Sequence, residues 1–167
     1  MNADIKSKMS IIGWYQLIGG VAGAMLVLYT MFNISQFSAL MMLLFGVMLS
    51  FFGYSIFCGK LCLDCKANAL RHSYINQLLQ LLGFSVLGVA FSYVAGFFCT
   101  LGLDLTNEIK LHFNVGISKF DFSINMNEEL TYFNFNVIAF AFIYYIDKLS
   151  AKMKAEKVNA AIDSIGT

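Results

Sequence analysis

Residues 78–103 read LLQLLGFSVLGVAFSYVAGFFCTLGL, a run without Asp, Glu, Lys, Arg or Pro. As a helix rising ~1.5 Å per residue it would reach roughly 40 Å, more than the ~30 Å hydrocarbon core of a bilayer. Ser85, Gly88, Ser92, Gly96 and Cys99 recur at steps of three and four, which gathers small residues on one helical face. In lipid no hydrophobic drive pulls apolar helices together, so a face that permits close backbone approach marks a packing seam. The stretch is therefore predicted to be the central spanning helix of a membrane bundle.

The rest of the chain agrees in composition. Of 167 residues, 59% are apolar and only 13% charged, which is far from ordinary globular usage. The charges fall in blocks: none lies between Lys8 and Lys60, and none between Glu129 and Asp147. The first gap is too long for one crossing and suits two of ~20 residues joined by a short loop. Lys and Arg are not clustered beyond the flanks of these runs, so nucleic acid is excluded as a partner. The Cys spacing forms no disulfide framework.

Taken in order, the spans are expected at 9–31, 38–58, 78–103 and 130–146, followed by a basic tail at 147–167. Gly19 and Gly23 in the first, and Gly46, Ser50 and Gly53 in the second, supply further packing positions. Lys6, Lys8, Lys60, Lys66, Arg71, Lys148, Lys152, Lys154 and Lys157 all fall on one side of such a bundle, which makes both termini cytoplasmic. The fold class is thus an all-α integral membrane protein of the inner or plasma membrane. It forms one domain, a four-transmembrane-helix bundle.

One segment departs from helical periodicity. From 109 to 126, Ile109, Leu111, Phe113 and Val115, then Phe120, Phe122, Ile124 and Met126, alternate with polar residues. With Gly116–Lys119 as a turn, Val115 would face Phe120, Phe113 would face Phe122, and Leu111 would face Ile124 in an extracytoplasmic β-hairpin between the third and fourth helices. An isolated hairpin is marginal in water. Its apolar face, Leu111, Phe113, Val115, Phe120, Phe122 and Ile124, must be covered by the bundle or by a partner.

Chemistry is sparse. Cys58, Cys62 and Cys65 form C-x3-C-x2-C, a spacing similar to that of the cluster-binding motif of radical SAM enzymes, which implies a large barrel for which this chain has no room. With His72 the same thiols supply a Cys3His donor set for zinc. A four-span bundle with C-x-x-C also resembles the quinone-linked disulfide-forming membrane enzymes, whose active cysteines lie outside the cytoplasm. Here Cys62 and Cys65 fall inside, and Cys99 has no second outer cysteine. The spans hold no charged residue and the chain no proline, unlike an ion or substrate path. The expected role is non-catalytic and without cofactor: a small structural or assembly subunit, either homo-oligomeric or part of a membrane complex. The alternatives are an oligomeric channel or transporter, and a thiol or metal enzyme built on Cys58, Cys62 and Cys65.

Overall fold

The computed structural model describes residues 3–34, 38–106, 109–124 and 131–165. Its element order is α1 (Ala3–Asn33), α2 (Ala39–Leu63), α3 (Ala69–Leu79), β1 (Leu82–Val86), β2 (Val89–Asp104), β3 (Lys110–Ile124), β4 (Tyr132–Asn136) and α4 (Val137–Ile165). Among the described residues, α1 and α2 are the two helices long and apolar enough to cross a membrane.

This architecture overturns the four-helix all-α bundle. Residues 82–104 are a strand pair, not a spanning helix, and the 130–146 segment divides into β4 and the start of α4. Leu87 and Gly88 have φ of 50° and 77°, so two successive left-handed residues turn β1 directly into β2 as a tight hairpin. Ser85, Gly88, Ser92 and Gly96 consequently share no helical face. The partners that make this stretch a strand, β3 and β4, come from distant sequence and leave no trace in a local window.

The hairpin expected within 109–126 is also corrected. Gly116–Lys119 is not a turn: residues 110–124 form one continuous strand paired along its length with β2. The alternation is real, but its phase changes midway because Ala95 and Gly96 of β2 stand opposite Ser118 alone, a β-bulge. Ser118 itself is left-handed, with φ 46°.

The sheet order is β1-β4-β2-β3, with β1 also paired to β2. Phe84 pairs with both Phe91 of β2 and Phe133 of β4, while Leu103 of β2 pairs with the same Phe133, every pairing antiparallel. Three straight strands cannot be mutually antiparallel. The two halves of β2 must therefore run in opposed directions, and the bulge at Val94–Phe97 is where the strand bends. The result is a curled sheet, not a flat one.

At this bend the sheet meets α1. Gly19 lies against the backbone of Ala95 and Gly96, with no room for a Cβ. The buried Ser118 hydroxyl donates to the Gly19 carbonyl and accepts the Gly96 N–H, each at 3.0 Å. Gly96 has φ +110°, and its outer side is closed by the Tyr15 ring, whose hydroxyl donates to the Phe97 carbonyl at 2.7 Å. Gly13 and Gly59 bring α1 and α2 into similar proximity, and Gly23 admits the Phe52 ring.

Two apolar clusters result. Val27, Phe45 and Phe52 pack with Tyr93 and Ala95 where the helical hairpin meets the sheet, extended by Phe51, Phe91 and Phe120. At the opposite end, Ile5, Met9 and Ile12 of α1 pack with Leu70 of α3 and Ile146 and Leu149 of α4. Asn136 starts α4 as its N-cap, accepting from the N–H groups of Ile138 and Ala139 at 3.1 and 3.3 Å. The helix then continues through the basic tail.

Space around the glycines sets the first test. Gly19→Ala forces a backbone shift and should destabilise by ~1–3 kcal/mol, the usual cost of overpacking. Gly46→Ala meets nothing within 4 Å and should be neutral or gain up to ~1 kcal/mol from helix propensity. Thermal unfolding of the two variants in one detergent should move in these opposite senses; equal shifts would refute the crossing.

Candidate interaction surface

Antiparallel pairing places directly opposed residues on the same side of a sheet. Leu103, Leu101, Cys99 and Phe97 of β2 oppose Leu111, Phe113, Val115 and Ile117 of β3, and β4 adds Phe133 beside Leu103 and Phe135 beside Leu101. The three strands thus carry one continuous apolar face. Among the described residues it is largely uncovered: Leu111, Phe113 and Ile117 are 80%, 68% and 67% exposed. Single exposed apolar side chains are ordinary, whereas a contiguous sheet of them marks contact with another phase or another protein.

The strand order leaves β3 at the edge, paired only with β2 among the described residues. Its outer row of N–H and C=O groups is open to a further strand. Near the β2–β3 connection, Asp104 accepts from the Thr106 N–H at 2.9 Å and lies 3.5 Å from His112 Nε2. Bonding to Thr106 first, and then to His112, holds its carboxyl below the usual range.

The six residues expected on the hairpin face separate at the bulge. Leu111, Phe113 and Val115 lie on the exposed face, whereas Phe120 turns inward against Phe51, Phe52 and Tyr93, with ring centroids 5.8, 6.5 and 6.3 Å away. Phe122 pairs with Phe91 on the same half of the sheet. Ile124 pairs with Val89, and its side chain lies outside the described residues.

The expected helix seams separate too. Gly19 and Gly23 are close-contact positions, although Gly19 meets β2 and not a helix. Gly46 and Gly53 face open space, and the Ser50 hydroxyl donates back to the Gly46 carbonyl at 2.7 Å. Ser92 packs against Gly83 of β1.

A buried network of uncharged polar groups joins α1, α2 and α3. Ser73 donates to Gln16 Oε1 at 3.0 Å, Ser55 donates to the Gln16 carbonyl at 3.0 Å, and Asn76 Nδ2 donates to Ser55 at 3.1 Å. Tyr93 reaches in from β2, its hydroxyl donating to the Phe51 carbonyl at 2.8 Å. Gln80 Oε1 accepts the Ala95 N–H at 2.9 Å. Among the described residues, both amide atoms of Gln77, Gln80 Nε2 and Asn136 Nδ2 are buried without a partner. Gln16 and Gln80 stand out in the sequence as polar residues within apolar runs. Ser73, Asn76, Gln77 and Gln80 recur at helical spacing, a polar stripe that periodicity can reveal.

The thiols do not converge with His72. Cys62 Sγ lies 3.1 Å from the Ser73 hydroxyl, Cys65 turns to the Leu63 carbonyl, and His72 Nδ1 lies 3.2 Å from the Tyr54 hydroxyl. Cys58 is buried in α2. Among the described residues no three Cys, His, Asp or Glu side chains are grouped to hold a metal ion.

On the other side of the molecule α3 and α4 enclose a groove of about 570 Å3, with Leu70, Tyr74 and Leu78 on one wall and Ile146 and Met153 on the other. Arg71, Asp147, Ser150 and Lys154 also line it. Nearby in sequence to this wall, Lys152 of α4 donates to Asp4 at 2.8 Å, as Lys8 does at 2.9 Å, tying α4 to the first turn of α1. The Asp4 carboxylate raises the Lys152 ammonium above its ordinary range.

No family model matches the sequence, and neither a curated protein nor a solved structure gives a significant match.

The polar network yields a signed comparison. Gln77→Met removes two desolvated groups that have no partner among the described residues, and a partnerless buried group costs ~1–3 kcal/mol, so the variant should unfold at higher temperature. Gln16→Met takes away the acceptor of Ser73 and should lower the unfolding temperature. Thermal denaturation followed by circular dichroism separates the two.

Proposed function

We propose that this chain is a non-catalytic membrane subunit, with α1 and α2 lying in the bilayer and the curled sheet offering its apolar face and β3 edge to a protein partner or a second copy. The observation that carries this reading is α2: only 11% of its most apolar stretch is buried within the fold. So apolar a helix left open to water would hold a large surface in an unfavourable phase, and lipid removes that cost.

The depth of the sheet supports the assembly role. Tyr15 and Gly19, in the middle of α1, touch Phe97 and Gly96, so the sheet lies beside the candidate span and not beyond its end. A strand edge facing lipid would leave every outward N–H and C=O without a partner, at several kcal/mol each. Pairing β3 with a strand from another protein removes that penalty. The basic end of the molecule, with Lys6, Lys8, Lys60, Lys66 and Arg71, takes the cytoplasmic side of an inner or plasma membrane under the positive-inside rule.

Two measurements test the reading together. The full chain should stay in the membrane pellet after an alkaline wash. In mild detergent it should migrate as a complex that Leu111→Asp with Phe113→Asp converts to monomer without loss of helix signal. A chain that is monodisperse in buffer without detergent would overturn the membrane role, and an unchanged complex in the double variant would overturn the sheet face as the interface.

A further inference from the structure

We propose that the occupant of the β3 edge is a second copy of this chain, paired antiparallel along residues 109–117 about a two-fold axis at Phe113. The inference rests on the membrane reading above and deepens it, because water can satisfy a free strand edge whereas lipid cannot. The free part of the edge is well defined. From Ile109 to Val115 every residue is exposed, polar and apolar alike, so this half of β3 is largely open on both sides among the described residues. The run stops at Ser118, which is buried, left-handed at φ 46° and bonded to Gly19 of α1. A visiting strand therefore has residues 109–117 to pair with before the ladder is broken.

That length of strand is complementary to itself. Leu111, Phe113, Val115 and Ile117 share one side, and Lys110, His112 and Asn114 the other. Two copies related by a two-fold axis stay matched side for side only if the axis passes through a residue. An axis between residues sets apolar groups opposite polar ones.

Few positions for the axis survive. At His112 it sets the imidazole against its own copy, and at Val115 it sets Leu111 against Lys119. At Asn114 it requires Lys110 to pair with the left-handed Ser118. An axis at Phe113 does none of these. It opposes Leu111 to Val115 of the second copy, Ile109 to Ile117 and Lys110 to Gly116, so no like charges face each other. On the polar side His112 meets Asn114 of the second copy, an imidazole and an amide that each carry a donor and an acceptor. Pairing of this kind extends the sheet through both molecules and joins their apolar faces side by side, a surface that lipid covers without a further protein.

The test is disulfide cross-linking of the full chain in isolated membranes. Cys99 stands opposite Val115 within one chain, so it is first replaced by Ala. Two differently tagged chains, Leu111→Cys and Val115→Cys, should form a disulfide-linked dimer on mild oxidation when expressed together, read as a doubling of mass on a non-reducing gel. Neither should do so when expressed alone. Directly opposed Cβ atoms lie about 4.5–5.5 Å apart, within reach of a disulfide. His112→Cys expressed with Asn114→Cys should cross-link as well, which separates pairing at the edge from stacking of the apolar faces, since stacked faces bring only apolar positions together. Cross-links confined to the apolar positions would overturn the proposal, as would cross-linking of Leu111→Cys to Ile117→Cys in place of Val115→Cys, or none in either mixed pair. An alkaline wash of the same membranes keeps two failures apart. If the chain is released, the membrane reading has failed; if it is retained without cross-links, only the self-pairing has failed and the edge belongs to a different protein.

Discussion

Everything in this molecule turns on the contact between Gly19 and Gly96. A helix normally meets a sheet through side chains that hold the two backbones apart; here the two main chains touch because neither residue has a Cβ. The Ser118 hydroxyl is the third member, bonded to both. One small side chain therefore joins α1, β2 and β3 at the point where the sheet bends. Remove the bend and β4 cannot pair with both β1 and β2. Without that pairing, Asn136 does not sit where it can cap α4.

From this junction polarity is distributed in an unusual way. Beside its two apolar clusters the interior holds a set of amides and hydroxyls, Gln16, Ser55, Ser73, Asn76 and Gln77, while much of the exterior carries Leu, Phe and Met. Uncharged polar groups bond across helices at modest gain where no water competes, and apolar exteriors cost nothing where lipid is the solvent. The arrangement of α1 and α2 is intelligible on those terms, with the sheet docked along one side.

The sequence revealed composition more reliably than connectivity. The apolar runs of α1 and α2 are visible because length and hydropathy are local properties, and both helices fall close to the expected spans. The stretch 78–103 misleads for a physical reason. Its Ser and Gly residues at steps of three and four satisfy a helical template, yet Val, Phe and Tyr at alternating positions satisfy a strand as well. What decides between them is the arrival of β3 and β4, which pair with it from distant sequence, as Phe135 does with Leu82. The period of two in 109–124 was legible, but a change of phase in such a pattern signals either a turn or a bulge. Only the left-handed Ser118 and its opposition to Ala95 and Gly96 distinguish them. The apolar surface of Leu111, Phe113 and Val115 could be read from residue type alone. The groove between α3 and α4 could not, because its two walls are distant in the chain.

The closing strand has a consequence for how the chain is made. β4 begins at Tyr132, so the ring of pairings through β1, β2 and β4 cannot form until most of the polypeptide has left the ribosome. α1 and α2 are adjacent in sequence and can associate early, whereas the strand edges of β1 and β2 must wait with their backbone groups unpaired. Long-range closure of this kind is slow and exposes adhesive edges in the interval. During biogenesis, then, the vulnerable species is a nascent helical hairpin trailing an incomplete sheet, and the last short strand ends that exposure.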